Sequence, residues 1–137
     1  MNKLFILKII ILLSVLNLNA NDFDEYLKIK SDKVEFLNES NNVNFSQNVF
    51  IDSNYVKISA SSAVYDEENQ IFSIFGEPTI IKSIKNDKKF HGVAEKILFF
   101  NDSKVHLIGN ASMKLENISI SSNLIVFNSI TGKISSN

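Results

Sequence analysis

A chain of 137 residues with 45% hydrophobic and 21% charged content is one globular domain, without room for a second. A formal charge of −1, with all 14 basic residues lysine, argues against a grip on nucleic acid, since arginine is the better bidentate phosphate ligand. The absence of cysteine leaves neither a disulfide nor a thiolate metal site.

The first twenty residues differ from the rest. Asn2-Lys3 is a short positive start, Leu4 to Leu16 is an apolar stretch broken by Lys8 and Ser14, and Asn17-Leu18-Asn19-Ala20 supplies a small residue at a cleavage point. This is the tripartite plan of a secretory signal, and it is short for a membrane span of roughly 20 residues. Residues 1–20 are therefore expected to be a cleaved signal peptide, with an uncleaved amino-terminal anchor as the rival reading. Loss of Lys3 and Lys8 from the 14 lysines leaves 12 against 15 acidic groups, a net of −3. The mature domain, 21–137, is expected to be exported and mildly acidic.

After a polar lead-in from Asn21 to Tyr26, period-two alternation dominates from Leu27 onward, and no helical stretch of ten residues is convincing. Val43, Phe45, Val49 and Ile51 share one parity; so do Phe72, Ile74, Pro78 and Ile80, and again Val105, Leu107, Ala111, Met113 and Leu115. Gln47, Gly76 and Gly109 fall at one step of each unit, where a strand is expected to bend or bulge. Turns rich in Asn, Asp and Ser are expected at Asn38 to Asn42, Asp52 to Asn54, Asp66 to Gln70, Asn86 to Lys88, Asn101 to Ser103 and Ser129 to Gly132. The fold class is all-β, with roughly ten to twelve strands of about five to nine residues.

A short pattern returns four times and closes on an aromatic at Phe36, Tyr65, Phe99 and Phe127, in steps of 29, 34 and 28 residues. Self-similarity at such a period means stacked units that cannot bury their apolar faces alone. A sheet with one wet and one dry face must fold over, and a narrow folded sheet keeps two open strand edges.

Chemistry-bearing groups are few. Asp22-Asp24-Glu25 and Asp66-Glu67-Glu68 lie in a tail and a turn, and read as solvated. His91 and His106 have no i+4 partner, and His106, on the polar parity, reads as a simple exposed histidine. With no G-x-S-x-G elbow either, no catalytic residue, metal site or cofactor is expected.

Five segments occur in register: Ile29-Lys30-Ser31-Asp32-Lys33-Val34, the Val43-x-Phe45-x-x-Asn48-Val49 rung, Gly76-Glu77-Pro78, Phe90-His91-Gly92-Val93-Ala94-Glu95-Lys96-Ile97, and Leu107-Ile108-Gly109-Asn110-Ala111. Together they span about residues 27–134 and resemble the OstA-like, LptA family of periplasmic lipopolysaccharide transport proteins. Gln47 stands where that family usually has glycine before Asn-Val, and Ser121-Ser122-Asn123 where it has Gly-Asp-Lys.

The resemblance implies a β-jelly-roll of stacked antiparallel strands with a V-shaped cross-section, its apolar faces sheltering the acyl chains of lipid A. It also implies docking of one edge on a membrane-anchored LptC-type domain and the other on an LptD-type outer-membrane partner. Edge pairing of the same kind permits a head-to-tail homo-oligomer. Exposing one chain of a dozen carbons to water would cost on the order of 10 kcal/mol at about 0.8 kcal/mol per CH₂, so a continuous apolar groove meets the need. The apolar positions expected to face inward and line it are Leu27, Ile29, Phe36, Phe45, Val49, Ile51, Ile58, Tyr65, Ile74, Ile80, Ile97, Phe99, Leu107, Met113, Ile120 and Phe127. The docking edges are expected at Leu27 to Ser31 and Leu124 to Ile134. The alternatives are an LptC-type member held at the inner membrane by residues 4–16, a carbohydrate-active enzyme with converging carboxylates, and a purely structural edge-joining protein with a solid interior.

Overall fold

In the computed structural model, described over residues 27–83 and 89–136, the chain is a single antiparallel sheet. Its strands are β1 (Leu27–Lys30), β2 (Lys33–Leu37), β3 (Asn42–Ser53), β4 (Val56–Asp66), β5 (Ile71–Ser83), β6 (Phe90–Phe100), β7 (Lys104–Leu115), β8 (Ile118–Asn128) and β9 (Ile134–Ser136). They lie in the order β1-β3-β4-β5-β6-β7-β8-β9, with β2 continuing β1 along the same edge of β3. The signal segment, the polar lead-in and the Asn86 to Lys88 turn fall outside the described residues.

The nine strands among the described residues are fewer and longer than the alternation suggested, because each central strand bends at the step without ending there. Six of them have 11 to 13 residues. The register slips once in every central pair, always at mid-strand: between Ser46 and Val49, Ser59 and Ser62, Phe75 and Thr79, Val93 and Lys96, and Ile108 and Ala111. These slips line up as one corner across the sheet, dividing it into two arms. Extra residues in one strand of a pair bend it sharply, which is how a flat sheet is folded over.

The corner explains residue choice. Gln47 and Asn48 have φ of 67° and 54°, and Gly109 and Asn110 have 85° and 43°, so both corners use consecutive left-handed residues. A side chain on Gly109 would also run into the Glu95 carboxylate. Where β3 bulges, the edge strand breaks: Asp32 donates its N–H to Gln47 O at 2.9 Å, and its carboxylate accepts from Asn48 Nδ2 at 2.7 Å. Across the sheet, Asn110 Nδ2 donates to Glu95 Oε1 at 2.9 Å.

The turns at the arm tips are closed by side chains. Ser53 Oγ, buried, accepts from the N–H groups of Tyr55 and Val56 at 3.1 Å each. Asp66 accepts from the backbone and side chain of Asn69, and those bonds hold its carboxyl below the usual carboxylate range. Asn128 Oδ1 accepts from Ile130 and Thr131 at 2.9 Å, turning the chain back into β9. A turn at Glu116–Asn117, between β7 and β8, had no Gly, Pro or Ser cluster to announce it.

Candidate functional site: the space between the two arms

Each arm presents apolar rows to the other. In the second arm, Phe36, Val43, Tyr65, Phe72, Phe99, Val105, Phe127 and Ile134 form one unbroken row, each opposite the next. The four recurrent aromatics of the sequence thus share one level of the stack, and Tyr65 and Phe72 pack their rings 4.5 Å apart within it. The adjacent row is Val34, Phe45, Ala63, Ile74, Ile97, Leu107 and Ile125. The first arm answers with Ile29, Ile51, Ile58, Ile81, Gly92, Met113 and Ile120.

The arms meet at two places the structure resolves in atomic terms. Gly92 is buried because Leu107, from the opposite arm, lies over it; a Cβ there would sit 2.9 Å from Leu107 Cδ2 and 3.0 Å from Ile81 Cγ2. Phe90 meets Phe127 edge to face with ring centroids 4.9 Å apart. Among the described residues the interior is closed, its side chains packed on one another.

Of the sixteen positions expected to face inward, Phe45, Val49, Ile51, Ile58, Tyr65, Ile74, Ile97, Phe99, Leu107, Met113 and Phe127 are buried in this core. Leu27, Ile29, Phe36 and Ile120 are partly buried against it, towards the ends of the rows. Ile80 is different. It pairs with Ser59 and Val93 on the outer face, while its neighbours Thr79 and Ile81 are fully buried. Three residues turn the corner in β3 and β7, which preserves parity, but Phe75-Gly76-Glu77-Pro78 uses four in β5 and reverses it. Period-two counting from Phe72 therefore lands on the wrong isoleucine. Ile81, Val43, Phe72, Val105 and Ile125 also belong to the inner rows, outside the sixteen; of these Val43, Phe72 and Val105 carry the right parity in the sequence.

Both ends of the stack are open strands. At one end, among the described residues, β1 and β2 both pair with β3, so the edge expected at Leu27 to Ser31 lies on the outermost strands there. At the other, β9 covers Ile125–Phe127. Among the described residues, the outermost strand there is accordingly β9 with the first half of β8, rather than the whole of Leu124 to Ile134. Near this end, between the arm tips, Phe90, Leu115 and Ile118 line a mainly apolar cavity of about 320 Å³, with Lys89, Glu116 and Gly132 at its rim. Ile118 is 58% and Ile130 49% exposed beside it.

His106 is half-buried rather than simply exposed. It faces outward between Leu98 and Val126 with its ring 4.7 Å from Phe100. Burial, with Lys104 alongside, lowers its pKa from 6.5 against a smaller upward pull from Asp102. Among the described residues, no three His, Asp or Glu side chains come together as a metal would require.

A family model described as the LptA/(LptD N-terminal domain) LPS transport protein matches residues 28–133. Among solved structures, LptH of Pseudomonas aeruginosa, the LptA-homologous periplasmic component of that organism's lipopolysaccharide transport device, superposes with a TM-score of 0.71 at 14% identity over 82% of each chain. That likeness is one of fold. No curated protein matches the sequence.

Proposed function

Since this chain belongs to the family of LptA and LptD amino-terminal-domain lipopolysaccharide transport proteins, we propose that it carries lipopolysaccharide across the periplasm with the acyl chains held between its two arms. The observation that supports this most is the inner rows, which run unbroken through every strand from one open edge to the other. A core built only for stability needs no such continuity to its ends.

Lipid enters by separating the arms. The contacts given up, Leu107 on Gly92 and Phe90 on Phe127, are apolar, and an acyl chain replaces them with contacts of the same kind. Exchange of like for like keeps opening inexpensive and leaves no deep trap along the groove. A corner hinged on Gly109 and on Asn and Gln residues allows the arms to part without breaking the ladders.

Read as an export signal, residues 1–20 would deliver the mature protein to the periplasm, and the edges would join an LptC-type domain at one end and an LptD-type domain at the other. Backbone pairing at such edges gives affinity without obstructing the groove. Amino-terminal sequencing of the exported protein distinguishes this from an LptC-type protein anchored by residues 4–16, since an intact Met1 or Asn2 would overturn cleavage.

The closed interior is the observation favouring a purely structural protein. Competition binding separates the two. Immobilised protein should take up lipopolysaccharide saturably, with lipid A competing and the deacylated saccharide failing to compete. Equal competition by the deacylated saccharide, or no uptake, would overturn the acyl shelter.

A further inference from the structure

The register brings together charges that are scattered in the sequence. Lys28 stands opposite Asp52, Asp52 opposite Lys57, Lys57 opposite Lys82, Lys82 opposite His91, and His91 opposite Lys114. The result is a ladder across five neighbouring strands and the edge strand, on the outer face of the first arm. Every member lies one residue in from its strand's tip, and all but Asp52 are exposed.

This arrangement is not the economical one for a solvated surface. Like charges directly opposite on adjacent strands repel, and strands lie only about 4.8 Å apart, so Lys57 opposite Lys82 is unfavourable, while Asp52 lies between Lys28 and Lys57 as an opposite charge. Among the described residues, no ladder lysine makes an ion pair; the two pairs present, Lys33–Glu35 and Lys104–Asp102, lie on the other arm. The tip of that arm is instead acidic, with Glu39, Asp66, Glu67, Glu68 and Asp102 in or beside its turns. The two arm tips thus differ in their balance of charge, although Lys104 and Lys133 lie at the acidic one and Asp52 and Glu116 at the other.

The ladder also adjoins the mouth. His91 follows Phe90, which meets Phe127 across the arms, and Lys114 precedes Leu115 in the wall of the apolar cavity. An amphiphile with its chains between the arms at this point would present its polar head beside these side chains. We propose that the ladder Lys28–Lys57–Lys82–His91–Lys114 binds the phosphate groups of the lipid head, and so sets which way the lipid lies in the groove. This rests on the acyl-shelter reading above. Phosphate fits because lysine serves as a point-charge phosphate ligand in a protein without arginine, and a bound anion relieves the repulsion within the row.

The test compares bisphosphorylated lipid A with its fully dephosphorylated form, binding to the mature protein at low and high salt. The variants are Lys57→Gln/Lys82→Gln/Lys114→Gln and, removing the same charge elsewhere, Lys33→Gln/Lys96→Gln/Lys104→Gln, each checked for folding by circular dichroism. Wild type and the second variant should prefer the phosphorylated lipid on the order of tenfold, with the preference shrinking in salt. The ladder variant should lose the preference while still binding the dephosphorylated lipid. Equal binding of the two lipids by wild type, or an unchanged preference in the ladder variant, overturns the ladder and leaves the acyl shelter standing. Binding of neither lipid overturns both. An unchanged preference with ladder-dependent sedimentation on phosphatidylglycerol vesicles would reassign the row to a membrane surface and overturn the proposal.

Discussion

Gly92→Ala probes whether the two arms pack on each other. The added methyl carbon would lie 2.9 Å from Leu107 Cδ2 and 3.0 Å from Ile81 Cγ2. Carbon atoms sit comfortably at about 3.5–4.0 Å, so both neighbours must retreat by about half an ångström or more. Neither has anywhere to go, since Leu107 and Ile81 are both 0% exposed. Overpacking of this kind costs about 1–3 kcal/mol. At about 4 °C per kcal/mol for a domain of this size, the melting temperature should fall by roughly 4–12 °C. Thermal unfolding followed by circular dichroism reads the shift. Leu107→Ala supplies the second leg of a double-mutant cycle, and truncating Leu107 should be less harmful in the Gly92→Ala background by about 0.5 kcal/mol or more. A Gly92→Ala protein melting within about 1 °C of wild type, or strict additivity in the cycle, would refute the packed seam, because contacts this close are neutral only where the neighbours have room to move aside.

Other outcomes follow from the same geometry. Ile81→Thr should destabilise by about 1–3 kcal/mol, whereas Ile80→Thr on the outer face should stay within about 0.5 kcal/mol, as chemical denaturation will show; the reverse order would mean the β5 register is misread. His106 takes up its proton less readily folded than unfolded, so its contribution to stability is intact above pH 6.5 and is lost as pH falls from there toward the lower folded value. His106→Gln should therefore flatten the fall in melting temperature between neutral and mildly acid buffer, and an unchanged slope would count against it. Along the outer edge of β1, alternate N–H groups point away from β3, so proline at Lys28 and at Ile29 should differ: one should weaken the fold and the other should only block an LptC-type or LptD-type partner in a pull-down. Equal effects at both positions would argue against edge pairing.

The sequence made the stack legible because its repeats are spaced by the fold itself. Phe36, Tyr65, Phe99 and Phe127 recur every second central strand, so they return to one row. The bend at Gln47 and Gly109 was legible as well, because left-handed backbone leaves its mark in residue choice. What escaped was the number of residues spent turning the corner. Gly76-Glu77-Pro78 looks like the other bends, but β5 spends one residue more than β3 or β7, and Ile80 and Ile81 exchange faces. Bend placement also misled the strand count, since a bulge interrupts alternation as a turn does without ending the ladder. The lysine ladder was invisible for a different reason. Lys28, Lys57, Lys82, His91 and Lys114 follow no period in the sequence, and only cross-strand register makes them neighbours.

The central claim is that lipid lies between the arms and nowhere else. Two adjacent aromatics offer the most direct test, for Phe99 is buried in the inner row while Phe100 faces the outside, opposite Ile71. A photoreactive phenylalanine analogue at each position, irradiated with lipopolysaccharide bound, should give a lipid adduct at 99 and none at 100. Adducts at 100 alone, or at both in equal yield, would contradict it.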